Sequence, residues 1–246
     1  MEGYQASTYG DRIADVYDQW YGYGRGDDDA CVERLAELAG GGPALELGIG
    51  TGRIALPLAA RGVEVHGMDA SAAMVERLRA KPGGQAIPVT IGDFADLGGV
   101  GGSFSLVYVV FNTFFALLTQ DDQVRCLTGV AQRLRPGGAL VVEVFVPDVR
   151  RFDRDQNLTV RHLRLDEAML DLARHDPVAQ RIDFYNVTLG PSGIRIQPGV
   201  LRYAWPAELD VMARLAGLRL RERSAGWRRE PFTGAARGHV SVYERA

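Results

Sequence analysis

Between Ala44 and Asp148 short apolar runs alternate with amphipathic helical patterns, and this alternation restricts the chain to successive strand-helix-strand units around a parallel sheet. The strand candidates are residues 44–48, 63–69, 88–91, 104–111 and 139–145. Between them, residues 53–61, 71–81 and 121–134 carry apolar side chains three and four apart, the spacing of a crossover helix with one buried face. Arg135-Pro136-Gly137-Gly138 stops the third of these helices and turns the chain into the fifth strand.

The flanks have a different texture. Tyr9, Ile13, Val16, Tyr17 and Trp20 share one helical face, and Gly22-Tyr23-Gly24-Arg25-Gly26 breaks that helix. Residues 159–165, 182–189 and 194–203 alternate polar with apolar, and Gly190-Pro191-Ser192-Gly193 joins the last two as a hairpin turn. Helix returns at residues 206–215, with Pro206 at a first helical position, and residues 218–223 and 239–244 make two closing strands. The expected fold is α/β: a mostly parallel seven-stranded sheet flanked by helices, with an antiparallel β insertion. The expected division is an N-terminal helix and cofactor-binding core over residues 1–146, the insertion over 147–205, and completion of the core over 206–246.

Composition narrows the function classes. At 46% hydrophobic and 24% charged the chain is an ordinary globular protein, neither disordered nor fibrous. A net charge of -3 supplies no general pull toward nucleic acid or an acidic membrane. Cys31 and Cys126 are isolated, so neither a disulfide framework nor a cysteine zinc site is expected, and no signal-peptide order opens the sequence; a cytoplasmic location follows as the expectation. Residues 97–120 carry no formal charge, but glycines and Ser103, Asn112 and Thr113 interrupt them, as in a buried strand with flanking loops rather than a membrane span. Asp148, Asp153 and Asp155 alternate with Arg150, Arg151 and Arg154, which reads as a locally paired loop, and no metal site is expected.

The chemistry concentrates at Glu46-Leu47-Gly48-Ile49-Gly50-Thr51-Gly52, where the first strand ends and the first crossover helix opens. Glycines there permit tight backbone angles and let a ligand lie on the main chain, beside the unpaired N–H groups of a helix start. The next strand ends in Asp69, where an acid can hold ribose hydroxyls. A dinucleotide fingerprint requires G-x-G-x-x-G, but the third glycine stands one residue early and position 53 is Arg. Glu46 would repel a diphosphate yet suits a sulfonium or ammonium, and Arg53 could meet a carboxylate.

Acid-x-Gly-x-Gly-x-Gly, followed by Asp69 and by Gly92-Asp93-Phe94, resembles the class I S-adenosylmethionine-dependent methyltransferases, whose sheet is Rossmann-like. The antiparallel insertion is similar in topology to the lid of small-molecule members, notably the amino-sugar N-methyltransferases. The resemblance implies S-adenosylmethionine as cofactor, with S-adenosylhomocysteine as product. It implies that Glu46, Gly48, Gly50, Gly52 and Arg53 line the methionine and ribose part, that Asp69 and Ala70 hold the ribose, and that Met74, Gly92, Asp93 and Phe94 surround the adenine. Phe111, Asn112 and Thr113 would lie near the sulfonium and the substrate, and Tyr9 or Tyr17 would lean over the cofactor or simply dock the N-terminal helix. Methyl transfer needs a base only where the acceptor must lose a proton. Tyr17, Asn112, His162, His175, Tyr203 and His239 are the candidates, each histidine having the plainer role of a strand-face side chain, while His66 is structural.

The implied activity is methyl transfer to N, O or C of a small organic molecule, a secondary metabolite. The partner is that acceptor, with no nucleic acid, since the prolines of an Asn/Asp-Pro-Pro-aromatic motif are absent from Asn112-Thr113-Phe114-Phe115, and with no membrane; a homodimer stays open. The alternative is a protein of the same fold that binds the cofactor or its product and acts as a cyclase or a non-catalytic partner.

Overall fold

The computed structural model describes residues 1–24 and 26–245; Arg25, in the glycine-rich break, and Ala246 lie outside the described residues. The chain opens with three helices, α1 (Thr8–Ile13), α2 (Tyr17–Tyr21) and α3 (Asp28–Ala39). The single N-terminal helix expected from the aromatic stripe is thus two short ones, although Ile13, Tyr9, Val16, Tyr17 and Trp20 still share one small cluster around Met74. Helix α3 was not anticipated. It places Asp28 and Asp29 at its positive end, buries Val32, Leu35 and Ala39, and closes on Gly40 at φ +55°.

The core follows as β1 (Ala44–Leu47), α4 (Ala55–Ala60), β2 (Val65–Asp69), α5 (Ala72–Arg79), β3 (Val89–Ile91), β4 (Phe104–Val109), α6 (Gln120–Arg133) and β5 (Leu134–Phe145). The fifth strand begins earlier than expected, because Leu134 already pairs with Phe104 before Arg135-Pro136-Gly137-Gly138 loops out and Ala139 pairs with Leu106. A four-stranded antiparallel meander comes next: β6 (Gln156–Leu163), β7 (Ala168–Asp176), β8 (Arg181–Gly190) and β9 (Gly193–Arg202). Strand β7 is the one that the sequence pattern did not reveal. Helix α7 (Pro206–Leu215), with Pro206 in its first turn, leads to β10 (Leu218–Ser224) and β11 (Gly238–Arg245).

The large sheet has the order β10-β11-β5-β4-β1-β2-β3, parallel from β5 to β3 and antiparallel where β11 joins β5 and β10 joins β11. Alternate residues of its central strands feed two cores. Leu45, Leu47, Val107, Val109, Leu140 and Val142 face α6 and α7, whereas Ala44, Leu106, Tyr108 and Val141 face α3 and α4. Both faces are covered, as a parallel sheet requires. The strand order reverses between β1 and β4, and the crevice beyond the carboxyl ends of those two strands is where such sheets bind ligands.

Candidate active site

A cavity of about 590 Å³ opens at that crevice. Its floor is the large sheet: Gly48 and Gly50 after β1, Asp69 and Ala70 at the end of β2, Asp93 and Phe94 after β3, and Phe111, Asn112 and Thr113 after β4. Its walls are Tyr9, Tyr17 and Tyr21 from α1 and α2, Met74 from α5, and the inner face of the meander.

The β1–α4 turn is built for close approach. Gly48 lies at φ +72° with Thr113 packed where its Cβ would be, and Gly50 lies at φ +55° with open space around it. The Gly50 N–H donates to Asp69 Oδ2 at 2.7 Å, and the Ser71 N–H donates to Asp69 Oδ1 at 2.8 Å, so the acid at the end of β2 is held rigidly against the turn. Burial raises its carboxyl pKa. The Asp93 carboxylate accepts from the Ala95 N–H at 2.9 Å, leaving its second oxygen for a ligand, and the buried Met74 and Phe94 make an apolar slot beside it.

Two consecutive non-glycine residues after β4, Phe111 at φ +58° and Asn112 at φ +66°, adopt the left-handed conformation. Asn112 Oδ1 accepts from the Phe145 N–H at 2.7 Å, and the Phe111 N–H donates to Glu143 Oε2 at 2.8 Å. This pins the strained corner to β5 and presents the Phe111 ring at the cavity, where Tyr21 meets it edge-on at 5.3 Å. Tyr17 packs on Tyr21 at 5.2 Å, and Tyr9 meets Phe184 of β8 at 6.4 Å.

Other residues expected at the cofactor stand behind this surface. Glu46 is buried on the α3 side of the sheet, accepts from the Tyr108 hydroxyl at 3.0 Å, and has its carboxyl pushed up to about 8 chiefly by burial. Arg53 pairs with Asp28 at 2.9 Å and lies 4.4 Å over the Phe111 ring, so it supports the wall. Gly52 faces Leu78 and Leu56 across the α4–α5 contact, and Gly92 faces Met68.

An open cavity at the switch point, a glycine turn bonded to an acid on β2, and an apolar slot next to Asp93 fit an adenosyl ligand. A methyltransferase-domain family matches residues 44–138. The Cypemycin N-terminal methyltransferase of a Streptomyces species is 30% identical over 202 residues, 82% of either chain. This chain belongs to the class I S-adenosylmethionine-dependent methyltransferases. Among solved structures, the CcbJ methyltransferase from Streptomyces caelestis is 42% identical with a TM-score of 0.92, covering 99% of this chain and 100% of that one. CalS10, an amino pentose methyltransferase from Micromonospora echinaspora solved with its cofactor bound, shares the fold at 24% identity and a TM-score of 0.70, covering 94% and 97%. The cofactor of this methyltransferase is S-adenosylmethionine.

Of the expected base candidates, Tyr17 and Asn112 line the cavity and the histidines do not. His162 pairs with Glu167 near the β6–β7 turn. His175 bonds the Tyr203 hydroxyl at 3.0 Å, and both are buried. His239 is buried in β11 against Ser241, its pKa lowered to about 4 mainly by burial, with Arg223 nearby adding to the effect. The residues that sequence reasoning missed are those of the meander's inner face, Asn157, Thr159, Arg161, Asp171 and Asn186, together with Arg151 and Tyr21. Thr159, Asp171 and Asn186 stand opposite one another across β6, β7 and β8, a register that only strand pairing supplies. Among the described residues no group of three His, Cys, Asp or Glu could hold a metal, and no helix is long and apolar enough to cross a membrane.

Proposed function

We propose that this methyltransferase acts on a small organic molecule of secondary metabolism and transfers the methyl group to a neutral amine nitrogen. The supporting observation is the chemistry of the cavity wall. No histidine is found among the described residues that line it. Burial raises the phenols of Tyr9 and Tyr17, the latter to about 12, so both stay protonated and neither is poised to accept a proton. Of the acceptor-side carboxylates, Asp171 is bonded by Arg161 and by Asn186 at 2.6 Å, and Asp122 by the Thr119 hydroxyl at 2.6 Å and by Arg125. An alcohol or a carbon acid needs a base as it attacks; an amine brings its own lone pair.

S-adenosylmethionine supplies an electrophilic sulfonium methyl when bound. In this reading the Gly48–Gly50 main chain and Asp69 hold its ribose, Met74, Phe94 and Asp93 its adenine, and Tyr9, Tyr17, Tyr21 and Phe111 exclude water and offer ring faces to the positive charge of the nascent ammonium. The meander serves as the acceptor's lid. The relatives point the same way: one is an N-terminal methyltransferase, another an amino pentose methyltransferase of calicheamicin biosynthesis.

The test is label transfer from S-adenosylmethionine to matched amines, alcohols and phenols, with fragmentation of the products. Label on nitrogen is expected, and label on oxygen alone would overturn the reading. For Tyr17→Phe, kcat/KM should still rise with pH through the acceptor's own ammonium pKa. A profile that loses a limb in this variant would assign Tyr17 a proton-transfer role instead.

A further inference from the structure

The acceptor end of the cavity carries a charge that the proposed methyl transfer does not use. Four ionisable side chains line that end: Arg151, Arg161, Asp171 and Asp122. Asp171 is matched by Arg161 and Asp122 by Arg125, whereas no carboxylate among the described residues pairs with Arg151. Its neighbour Asp148 is already engaged by Arg150 at 2.9 Å and Arg237 at 3.0 Å. Arg161 uses its Nε–H toward Asp171, and a guanidinium has further N–H donors in a planar fork.

The backbone of Arg151 is held in place. Its carbonyl accepts from Asn157 Nδ2 at 2.8 Å, tying the 149–151 turn to β6. Its guanidinium lies 4.9 Å from the Phe152 ring centroid. Phe152 stacks on His175 at 4.7 Å and 21°, and His175 stacks on Tyr203 at 5.7 Å while bonding its hydroxyl. Two of the residues considered as a base in the sequence, His175 and Tyr203, are thus the foot of a column that ends at an exposed guanidinium with no carboxylate partner among the described residues. An exposed guanidinium that no described carboxylate pairs, on the same cavity wall as a second one, is an arrangement for a planar or tetrahedral oxyanion.

We propose that Arg151, with Arg161 on the same cavity wall, is an anion-recognition site for the acceptor, which therefore carries a carboxylate or phosphate in addition to the atom that is methylated. This rests on the meander end of the cavity being the acceptor's place. His175 and Tyr203 are positioning residues that act through Phe152.

The probe is a mixture of amines in matched pairs, each carboxylic acid with its methyl ester and each phosphate monoester with its alcohol. Binding to the full chain loaded with S-adenosylhomocysteine is read by ligand-observed NMR. Acids or phosphates are expected to be enriched among the hits, and which of the two dominates identifies the anion. Hits drawn equally from both halves of the pairs, or no anion among them, overturn the proposal. For an anionic hit that turns over, Arg151→Gln should raise KM about tenfold or more, the loss of one charged hydrogen-bonding pair. kcat and S-adenosylmethionine affinity should change little, and Arg151→Lys should partly recover KM. An unchanged KM in a folded Arg151→Gln protein overturns the proposal. The site of methylation is read separately by fragmentation. Label on oxygen of an anionic acceptor would remove the amine reading and leave this one, and label on nitrogen of neutral acceptors alone would do the reverse.

Discussion

Gly50 and Gly52 stand two residues apart in one turn and answer to different constraints. A side chain at Gly50 meets nothing closer than the Gly48 carbonyl at 4.0 Å and projects from a residue that lines the cavity, whereas one at Gly52 runs into Leu78 Cδ1 and approaches Leu56 Cγ at 3.1 Å. Gly50→Val is therefore expected to weaken S-adenosylmethionine binding more than tenfold, with a small stability loss from its φ of +55°. Gly52→Ala is expected to cost about 2 kcal/mol of stability through overpacking and a φ of +79°, and to affect binding less. Calorimetric titration beside urea unfolding separates the two, and equal effects on both quantities would refute the division. From the sequence these glycines were indistinguishable, because spacing shows that the backbone turns but not what lies across from each Cα.

At the scale of elements, periodicity showed the core because its strands are short apolar runs covered on both faces, and each crossover helix buries one stripe. In the meander, alternation located β6, β8 and β9 but not which face turns inward, because the same rule assigns polar residues outward. Leu158 is 62% exposed and Ile196 52%, while Asn186 and Gln197 on the opposite, inner face are 4% and 1% exposed. A sheet whose polar face turns inward to form part of a cavity wall, and whose strand β7 is half-buried along most of its length, gives a weak and inverted signal. The corner after β4 is likewise a tertiary product. Asn112→Ala would leave the Phe145 N–H without its 2.7 Å partner and put alanine at φ +66°. A loss of about 2 kcal/mol is expected, together with a fall in kcat larger than the change in cofactor affinity, since the corner aims Phe111. Wild-type kcat in a destabilised Asn112→Ala protein would show that the corner is scaffolding only.

The pH dependence of stability belongs to the whole molecule, because it sums groups on opposite faces of the large sheet. Glu46 has a folded pKa raised from 4.5 to about 8, so between those values the folded chain holds a proton that the unfolded chain has released. Stability must then fall as pH rises through this window. His239 has a folded pKa lowered from 6.5 to about 4, so there the unfolded chain binds the extra proton and stability rises with pH. The two oppose each other between pH 4.5 and 6.5, leaving Glu46 to set the slope from 6.5 to about 8. That slope amounts to about 2 kcal/mol over the interval. Glu46→Gln keeps an acceptor for the Tyr108 hydroxyl and removes the titration, so its stability should be nearly level over the same range. Urea unfolding at several pH values checks this, and parallel curves for the two proteins would mean that Glu46 is ionised in the folded chain. Because a cationic cofactor favours the ionised carboxylate, S-adenosylmethionine should bind the wild-type protein more tightly as pH rises toward 8 and take up this dependence from Glu46. In Glu46→Gln, cofactor affinity should lose that dependence, and a dependence retained in the variant would mean that this acid, buried behind the cavity surface, does not sense the charge of the cofactor.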